Sequence, residues 1–305
     1  MKFIHYAGSD RKASVIGAGC MRIAGMDKAA CSIFIHGALD CGINFFDHAD
    51  IYGGGRSEQV FGEVLKEEPS LRDRMFLQSK CGIKKGEYDF SKEYILSSVD
   101  GILSRLHTDH LDSLLLHRPD VLMEPEEVNE AFEALKKAGK VLNFGVSNQN
   151  PMTMMDLQSG LSQRLCADQV QLSLAHTPMI DGDVNVDMNN AGAEMRDGGI
   201  LHYCRMHDMA IQIWSPLQIG MFEGVFLNSD RYPALNQKLT ELAQKYNVTE
   251  DAIAYAWLLR IPGKIQVITG TTKVERLRHA AESTEITLSH KEWYDLYTSA
   301  GNQLP

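Results

Sequence analysis

The chain has 305 residues, 44% of them hydrophobic, a net charge of −10 at pH 7 and six scattered cysteines. That length and composition allow one large domain or two small ones, each with a sizeable core. The charge argues against a nucleic-acid or anionic-membrane partner. No apolar run nears the ~18 residues of a membrane helix, and Met1-Lys2-Phe3-Ile4-His5-Tyr6 holds no signal-peptide stretch. Cysteines without a C-x-x-C pair fit reduced thiols in a cytoplasmic protein.

Met1 to Ile4, a turn around Gly8-Ser9-Asp10 and Ser14-Val15-Ile16 read as a short N-terminal hairpin feeding the first strand. Asp27 is an expected N-cap for a helix over Lys28 to Asp40, with Gly42 as terminator. Asn44 to Asp47 reads as the second strand and Ser57 to Lys66 as the second helix. Met75 to Lys80 is a strand ending on a lysine, and Ser91 caps a helix to Leu106. Leu111 to His117 is a strand stopped by Pro119, and Pro125 opens a helix to Ala138. Val141 to Val146 is a strand leading to Ser147-Asn148, with Pro151 starting the next helix.

Asp168 to Leu172 is another alternating strand. His176 to Gly199, rich in Asp, Asn and Gly without clear periodicity, reads as mostly loop before a helix over Ile200 to His207. Ile211 to Ser215 is a strand broken by Pro216. Helices follow over Ala234 to Tyr246 and over Asp251 to Leu259, the second with Thr249 as cap. Ile265 to Thr269 is the last strand, and Gly270-Thr271-Thr272 leads into a helix from Lys273. Ser289 with Glu292 makes a capping box for a final helix to Ser299. Counted from Ile16 there are eight short strands, nearly all separated by helices. This is the stoichiometry of a single (β/α)8 TIM barrel spanning 1–305. An open doubly wound sheet would need a Gly-rich phosphate loop after the first strand. Gly17-Ala18-Gly19-Cys20-Met21-Arg22 fails at its third glycine, where Arg22 stands.

In a barrel the C-terminal ends of the strands converge on one face. Asp47, Lys80 and His117 lie at such ends, and Tyr52 follows Asp47 in its loop. This grouping suits reduction of a carbonyl by hydride, because the nascent alkoxide needs a proton. A phenol with pKa ~10 gives one up readily only beside a cation. Lys80 can supply that charge, Asp47 can hold Lys80, and His117 can orient the substrate oxygen. Singly, each also reads as an ordinary turn, surface or core residue.

Several blocks in this order resemble the aldo-keto reductase family over nearly the whole chain. They are Gly42 to Asp47 with Tyr52-Gly53 and Ser57-Glu58, Ser79-Lys80, Leu116-His117-Arg118-Pro119, Gly145-Val146-Ser147-Asn148, Gln169-Val170, Trp214-Ser215-Pro216-Leu217 and Gly270-Thr271-Thr272. The resemblance implies a catalytic tetrad of Asp47, Tyr52, Lys80 and His117, with Tyr52 as general acid. It also implies a nicotinamide cofactor, NADP(H) with NAD(H) as the alternative. Ser147, Asn148 and Gln169 would hold the carboxamide, Trp214 would stack on the ring, and Ser215, Pro216, Leu217 and Gly220 would lie along the pyrophosphate. Met21 would sit beside the cofactor and, with His48, Arg118 and Trp214, line the substrate site.

The residues themselves add that Gly270-Thr271-Thr272 before a helix is a natural phosphate site. Lys273 and Arg276 form a basic cluster, followed by Arg278, that suits a 2′-phosphate; a solvated helix face is the plain alternative. Where many relatives carry Glu-Asn for adenine, this chain has His279-Ala280, so adenine contacts are not carried over.

Tyr88-Asp89-Phe90-Ser91-Lys92 matches the Y-x-x-x-K of short-chain dehydrogenases, but their glycine fingerprint is missing. A metal-dependent barrel hydrolase or isomerase would use Asp47, His48, Asp50, His117 and His176 as ligands; Lys80 would then put a positive charge where the metal belongs. A nicotinamide-binding regulatory protein like the potassium-channel β-subunits is the third reading, against which the chain offers no N-terminal inactivation segment. The expected partner is a small-molecule carbonyl substrate, with no nucleic acid and no membrane, and a monomer accommodates everything read here. A tail of only Gly301 to Pro305 beyond the last helix suggests an open site.

Overall fold

Short apolar runs, each closed by a turn and followed by an amphipathic stretch, give eight parallel strands in the computed structural model, which describes residues 1–6 and 11–305. They are β1 (Ile16–Gly19), β2 (Phe45–Asp47), β3 (Phe76–Cys81), β4 (Leu111–Leu116), β5 (Val141–Ser147), β6 (Leu165–Gln171), β7 (Ala210–Trp214) and β8 (Lys264–Thr269). Each pairs with the next, and β8 pairs with β1, so the ring closes as a (β/α)8 barrel without an edge. The outer helices are α1 (Lys28–Asp40), α2 (Arg56–Glu67), α3 (Lys92–Leu106), α4 (Pro125–Lys137), α5 (Pro151–Gly160), α6 (Pro178–Val184), α7 (Ile200–Met206), α8 (Pro233–Tyr246), α9 (Glu250–Leu259), α10 (Val274–Glu282) and α11 (His290–Ser299).

Local chemistry sets most helix ends. The Asp27 carboxylate accepts from Ala30 N at 2.8 Å, Ser91 Oγ from Tyr94 N at 3.4 Å, and Ser289 and Glu292 bond reciprocally. Thr249 stands at the N-cap of α9, but its hydroxyl makes no cap bond and is buried without a partner among the described residues. Asp251 serves that helix start instead, accepting from Ala252 N at 3.1 Å. The stretch expected to be loop holds α6 and a 3-10 turn, Ala191–Ala193. Thr177-Pro178 begins α6 by the usual proline-first rule.

Two short strands, Phe3–His5 and Lys12–Ser14, form the expected antiparallel hairpin; the turn placed at Gly8-Ser9-Asp10 lies outside the described residues. The hairpin delivers Tyr6 to the floor of the barrel, where its ring stacks on Phe76 at 5.0 Å, and Phe76 stacks on Phe45 at 5.3 Å. A larger apolar shell lies between strands and helices. Above the aromatic floor the interior changes character. Asp47, Gln78, Ser113, Gln169, Gln212 and Gln266 are all buried, in a register that sets Asp47 beside Gln78, Gln78 beside Ser113, and Gln212 beside both Gln169 and Gln266. Branched apolar residues usually fill such layers.

The cysteines form no disulfide; Cys20, Cys31, Cys81, Cys166 and Cys204 are buried and Cys41 is half-buried. Among the described residues no helix is long and apolar enough to cross a membrane.

Candidate active site

β2 ends on Asp47, Lys80 lies near the end of β3, and His117 directly follows β4, so three adjacent strands lift these groups to one face. The loop after β2 turns Tyr52 back over Lys80. Gly53, Gly54 and Gly55 all take left-handed backbone, at φ 60°, 64° and 88°, a conformation that costs residues with a Cβ about 1–2 kcal/mol each. The three glycines are what this turn into α2 requires. Glu58, in the first turn of α2, is fully buried; it accepts from Ser79 Oγ at 2.6 Å and from Arg105 Nε at 2.8 Å. The loop is thereby fastened to β3 and α3.

Lys80 is fully buried. Its Nζ lies 2.8 Å from each Asp47 oxygen, donates to His48 O at 2.8 Å, and reaches the Tyr52 hydroxyl at 3.2 Å. A buried ammonium with one carboxylate and further acceptors is the arrangement in which desolvation is offset. Burial works against the Lys80 charge, yet Asp47 and Tyr52 outweigh it and hold the ammonium above its ordinary pKa. Burial pushes the Tyr52 phenol up, the Lys80 ammonium pulls it back, and Asp47 adds to the rise. His117 meets Tyr52 edge to face, ring centroids 6.0 Å apart. Burial, then the charges of Lys80 and Arg118, drive its pKa well below 6.5, so the imidazole is neutral at pH 7. The four groups together make a phenol beside a permanent cation and a neutral imidazole.

The opposite wall is also interlinked. Ser147 Oγ donates to Gln169 O at 2.9 Å and accepts from Asn148 Nδ2 at 2.7 Å; Trp214 Nε1 donates to Asn148 Oδ1 at 3.1 Å. Asn148 and Ser215 both adopt positive φ, 58° and 53°, strain of the kind that gathers at functional sites. Gln169 turns its amide nitrogen inward, to Asp47 Oδ1 at 3.0 Å and Gln212 Oε1 at 2.8 Å. After β7 the chain from Ser215 through Pro216, Leu217 and Gly220 folds back on itself, Gln218 N bonding Ser215 O and Ile219 N bonding Gly224 O.

At the end of β8, Gly270 is exposed and Thr271 and Thr272 half-buried before α10. Lys273 and Arg276 are exposed, and among the described residues neither pairs with a carboxylate. Met21 is exposed on a 3-10 turn, Met21–Gly25, and the neighbouring Arg22 donates to Gly270 O at 3.1 Å. Arg22 brings a further cation to this end that the failed glycine fingerprint had only marked as an interruption.

One expectation about this site needs correction. His48 does not line the substrate site: it is fully buried, with both ring nitrogens unpartnered among the described residues and its ring edge-on to Phe61 at 4.6 Å. Asp47, His48, Asp50, His117 and His176 do not assemble as ligands, and among the described residues no three His, Cys, Asp or Glu side chains do. Gln78, Gln212 and Ser113, which no motif marked, reach the Asp47 carboxylate or its partners. Their signal is positional, since Gln78 lies two residues before Lys80 and Gln212 two before Trp214, on the same strand face. The Tyr88 to Lys92 segment lies apart, Tyr88 in a two-residue strand and Ser91 capping α3.

The aldo/keto reductase family model matches residues 15–298. The chain is 38% identical to the oxidoreductase YdhF of Escherichia coli over 277 residues, 88% of this chain and 86% of that protein. It is 36% identical to a 6-dehydroglucose reductase of Agrobacterium fabrum, over 87% of this chain and 86% of that one. An aldo/keto reductase from Klebsiella pneumoniae, solved in complex with NADP and acetate, shares the fold at a TM-score of 0.76 and 24% identity, covering 99% of this chain and 96% of that one.

Proposed function

The chain belongs to the aldo/keto reductase family, and from that premise we propose that it reduces an aldehyde or ketone to an alcohol with NADPH, Tyr52 giving the proton. The observation that carries this reading is Lys80, clamped by both oxygens of Asp47 and 3.2 Å from the Tyr52 hydroxyl. NADPH, when bound, supplies a hydride to the carbonyl carbon. The protein's part is to place and protonate the oxygen. Neutral His117 donates a hydrogen bond to it, Tyr52 delivers its proton as negative charge builds there, and Lys80 stabilises the phenolate left behind. Asp47 keeps Lys80 charged and in place.

The residues present fit this cofactor. Among the described residues Lys273 and Arg276 have no acidic partner, in a chain with forty acids and thirty bases, and they stand where Gly270-Thr271-Thr272 offers a helix N-terminus to a phosphate. Ser147, Asn148 and Gln169 would hold the carboxamide, exchanging bonds they now make with each other, and Trp214 would cover the ring. Ser215, Pro216, Leu217 and Gly220 would follow the pyrophosphate, with Met21 alongside. The reaction needs no nucleic-acid or membrane partner, and a cytoplasmic monomer suffices for it.

A relative named for 6-dehydroglucose makes a sugar-derived aldehyde the first substrate to try. The test is a carbonyl panel including that sugar, followed by loss of reduced-nicotinamide absorbance, with Tyr52→Phe alongside. The variant is expected to lose about 10²-fold or more in turnover while its NADPH binding, read by fluorescence, persists. Undiminished turnover would overturn the assignment.

A further inference from the structure

We propose that Gln78 and Gln212, at the centre of a buried amide layer crossing the barrel, are positioning residues that act through Asp47 to direct the Lys80 charge onto Tyr52. The inference rests on the reductase reading above and names residues that the family blocks do not include.

The hydrogen bonds fix how each amide is turned. A carboxylate only accepts, so the Gln78 atom 2.7 Å from Asp47 Oδ1 is Nε2, which also donates to Gln212 Oε1 at 2.8 Å. Gln78 Oε1 is then left to accept, from Ser113 Oγ at 2.8 Å and Gln212 Nε2 at 2.9 Å. Gln212 Oε1 also accepts from Gln169 Nε2, whose second proton goes to Asp47 Oδ1. The remaining Gln212 proton goes to Tyr6 OH at 2.7 Å, and Tyr6 passes its own to Gln266 Oε1 at 2.5 Å. Gln266 Nε2 ends the chain on Ser14 O at 2.7 Å. Every donor of Gln78 and Gln212 is used, which is the condition for a buried polar network to order a core. The line runs from the N-terminal hairpin to the acid of the tetrad.

The consequence is electrostatic. Asp47 Oδ1 receives Lys80, Gln78 and Gln169, while Oδ2 receives Lys80. Two amide dipoles therefore share the carboxylate's charge, and less of it cancels the ammonium as felt by the phenol. Without Gln78, Asp47 would draw Lys80 in more strongly. The positive end of the Gln78 amide would also be lost from beside Asp47. Both changes destabilise the phenolate. The other groups facing Tyr52 are His117, neutral, and Cys20, whose thiol burial keeps protonated, so neither compensates.

The experiment uses the full chain with Gln78→Met and Gln212→Met, which keep side-chain length and remove the amide. In each variant kcat for carbonyl reduction is expected to fall about 10-fold, the worth of a hydrogen bond to a charged group. NADPH Kd should stay within about 2-fold, and the alkaline limb of the pH profile should move up by about half a unit. Folded variants with the parent's kcat and limb would overturn the proposal. So would a kcat loss that merely tracks weakened NADPH binding with the limb unmoved. If the methionine variants do not fold, Ser113→Ala and Tyr6→Phe each remove one hydroxyl from the line; a smaller upward shift of the limb is expected, and none would overturn it. A parent inactive on every carbonyl would instead sink the reductase reading. The inference would then be decided by tyrosinate absorbance in the cofactor-free protein, parent minus Tyr52→Phe, with and without Gln78→Met.

Discussion

Tyr52 is under two opposed influences, burial raising its pKa and Lys80 lowering it, and burial wins in the resting protein. The phenol therefore stays protonated through neutral pH, as a proton donor must, and the ammonium acts mainly on the phenolate that forms during reaction. His117 has its pKa driven below 6.5 and so gains charge only in acid. The sign follows for both groups: kcat/KM for reduction should be level from about pH 6.5 to about 10, the ordinary values from which the two shifts lead away. A profile in a constant-ionic-strength buffer checks this, and a limb between pH 7 and 9 would contradict it. Asp47, Lys80 and His117 could be placed on one face from the sequence because each closes a run that predicts a strand, and strand ends meet in a barrel; Tyr52 joined them only through its place in the loop after Asp47. The glutamines could not. Gln212 and Gln266 each read as one polar residue inside an apolar run and Gln78 as the start of a polar strand end, and their partnership exists only after β3, β7 and β8 are carried around the ring.

At the scale of elements, α10 presents the clearest division of labour. Its apolar face, including Leu277 and Ala280, is buried, while Lys273 and Arg276 are exposed at its start. Replacing both by alanine should weaken NADPH binding by about 10-fold or more, the worth of charge-assisted contacts to a phosphate, and leave NADH within about 2-fold. Titration of cofactor fluorescence measures both; equal losses would assign the cluster to another purpose. Elements with strong caps and long periodic runs were legible, as α1, α3 and α11 illustrate. α6 was not, because seven residues containing two Asp and one Gly give too short a period to see. Thr249 misled for a different reason: threonine before an acidic turn looks like a cap, but Asp251 answers that helix start and also pairs with His279 at 3.3 Å.

For the molecule as a whole, the count of eight alternating units foretold closure, but not what the closed barrel would bury. On the outer side of β6, Asp168 is fully buried; Gln149 N donates to one oxygen at 3.5 Å and the other has no partner among the described residues. Burial first, with Asp197 adding to it, pushes its pKa up to about 8. The unfolded chain ionises this group near pH 3.9, so between those values the folded state holds a proton that the unfolded state has lost. Its contribution to stability is whole below about pH 4 and declines by about 1.4 kcal/mol per unit as pH rises toward 8. Other buried carboxyls add slope of the same sign, so the test is the difference: urea unfolding at pH 5, 6.5 and 8 should lose stability more steeply in the parent than in Asp168→Asn, and parallel curves would refute it. The thiols carry a practical corollary of the same burial. All six have pKa values raised by removal from water, and only Cys41 is open to reagents. Since attack on sulfur runs through the thiolate, iodoacetamide at neutral pH should add at most one carbamidomethyl group per native chain, counted by intact mass. A protein so built would keep its thiols intact on the bench without dithiothreitol, and peroxide would spend itself on exposed methionines such as Met152 and Met206.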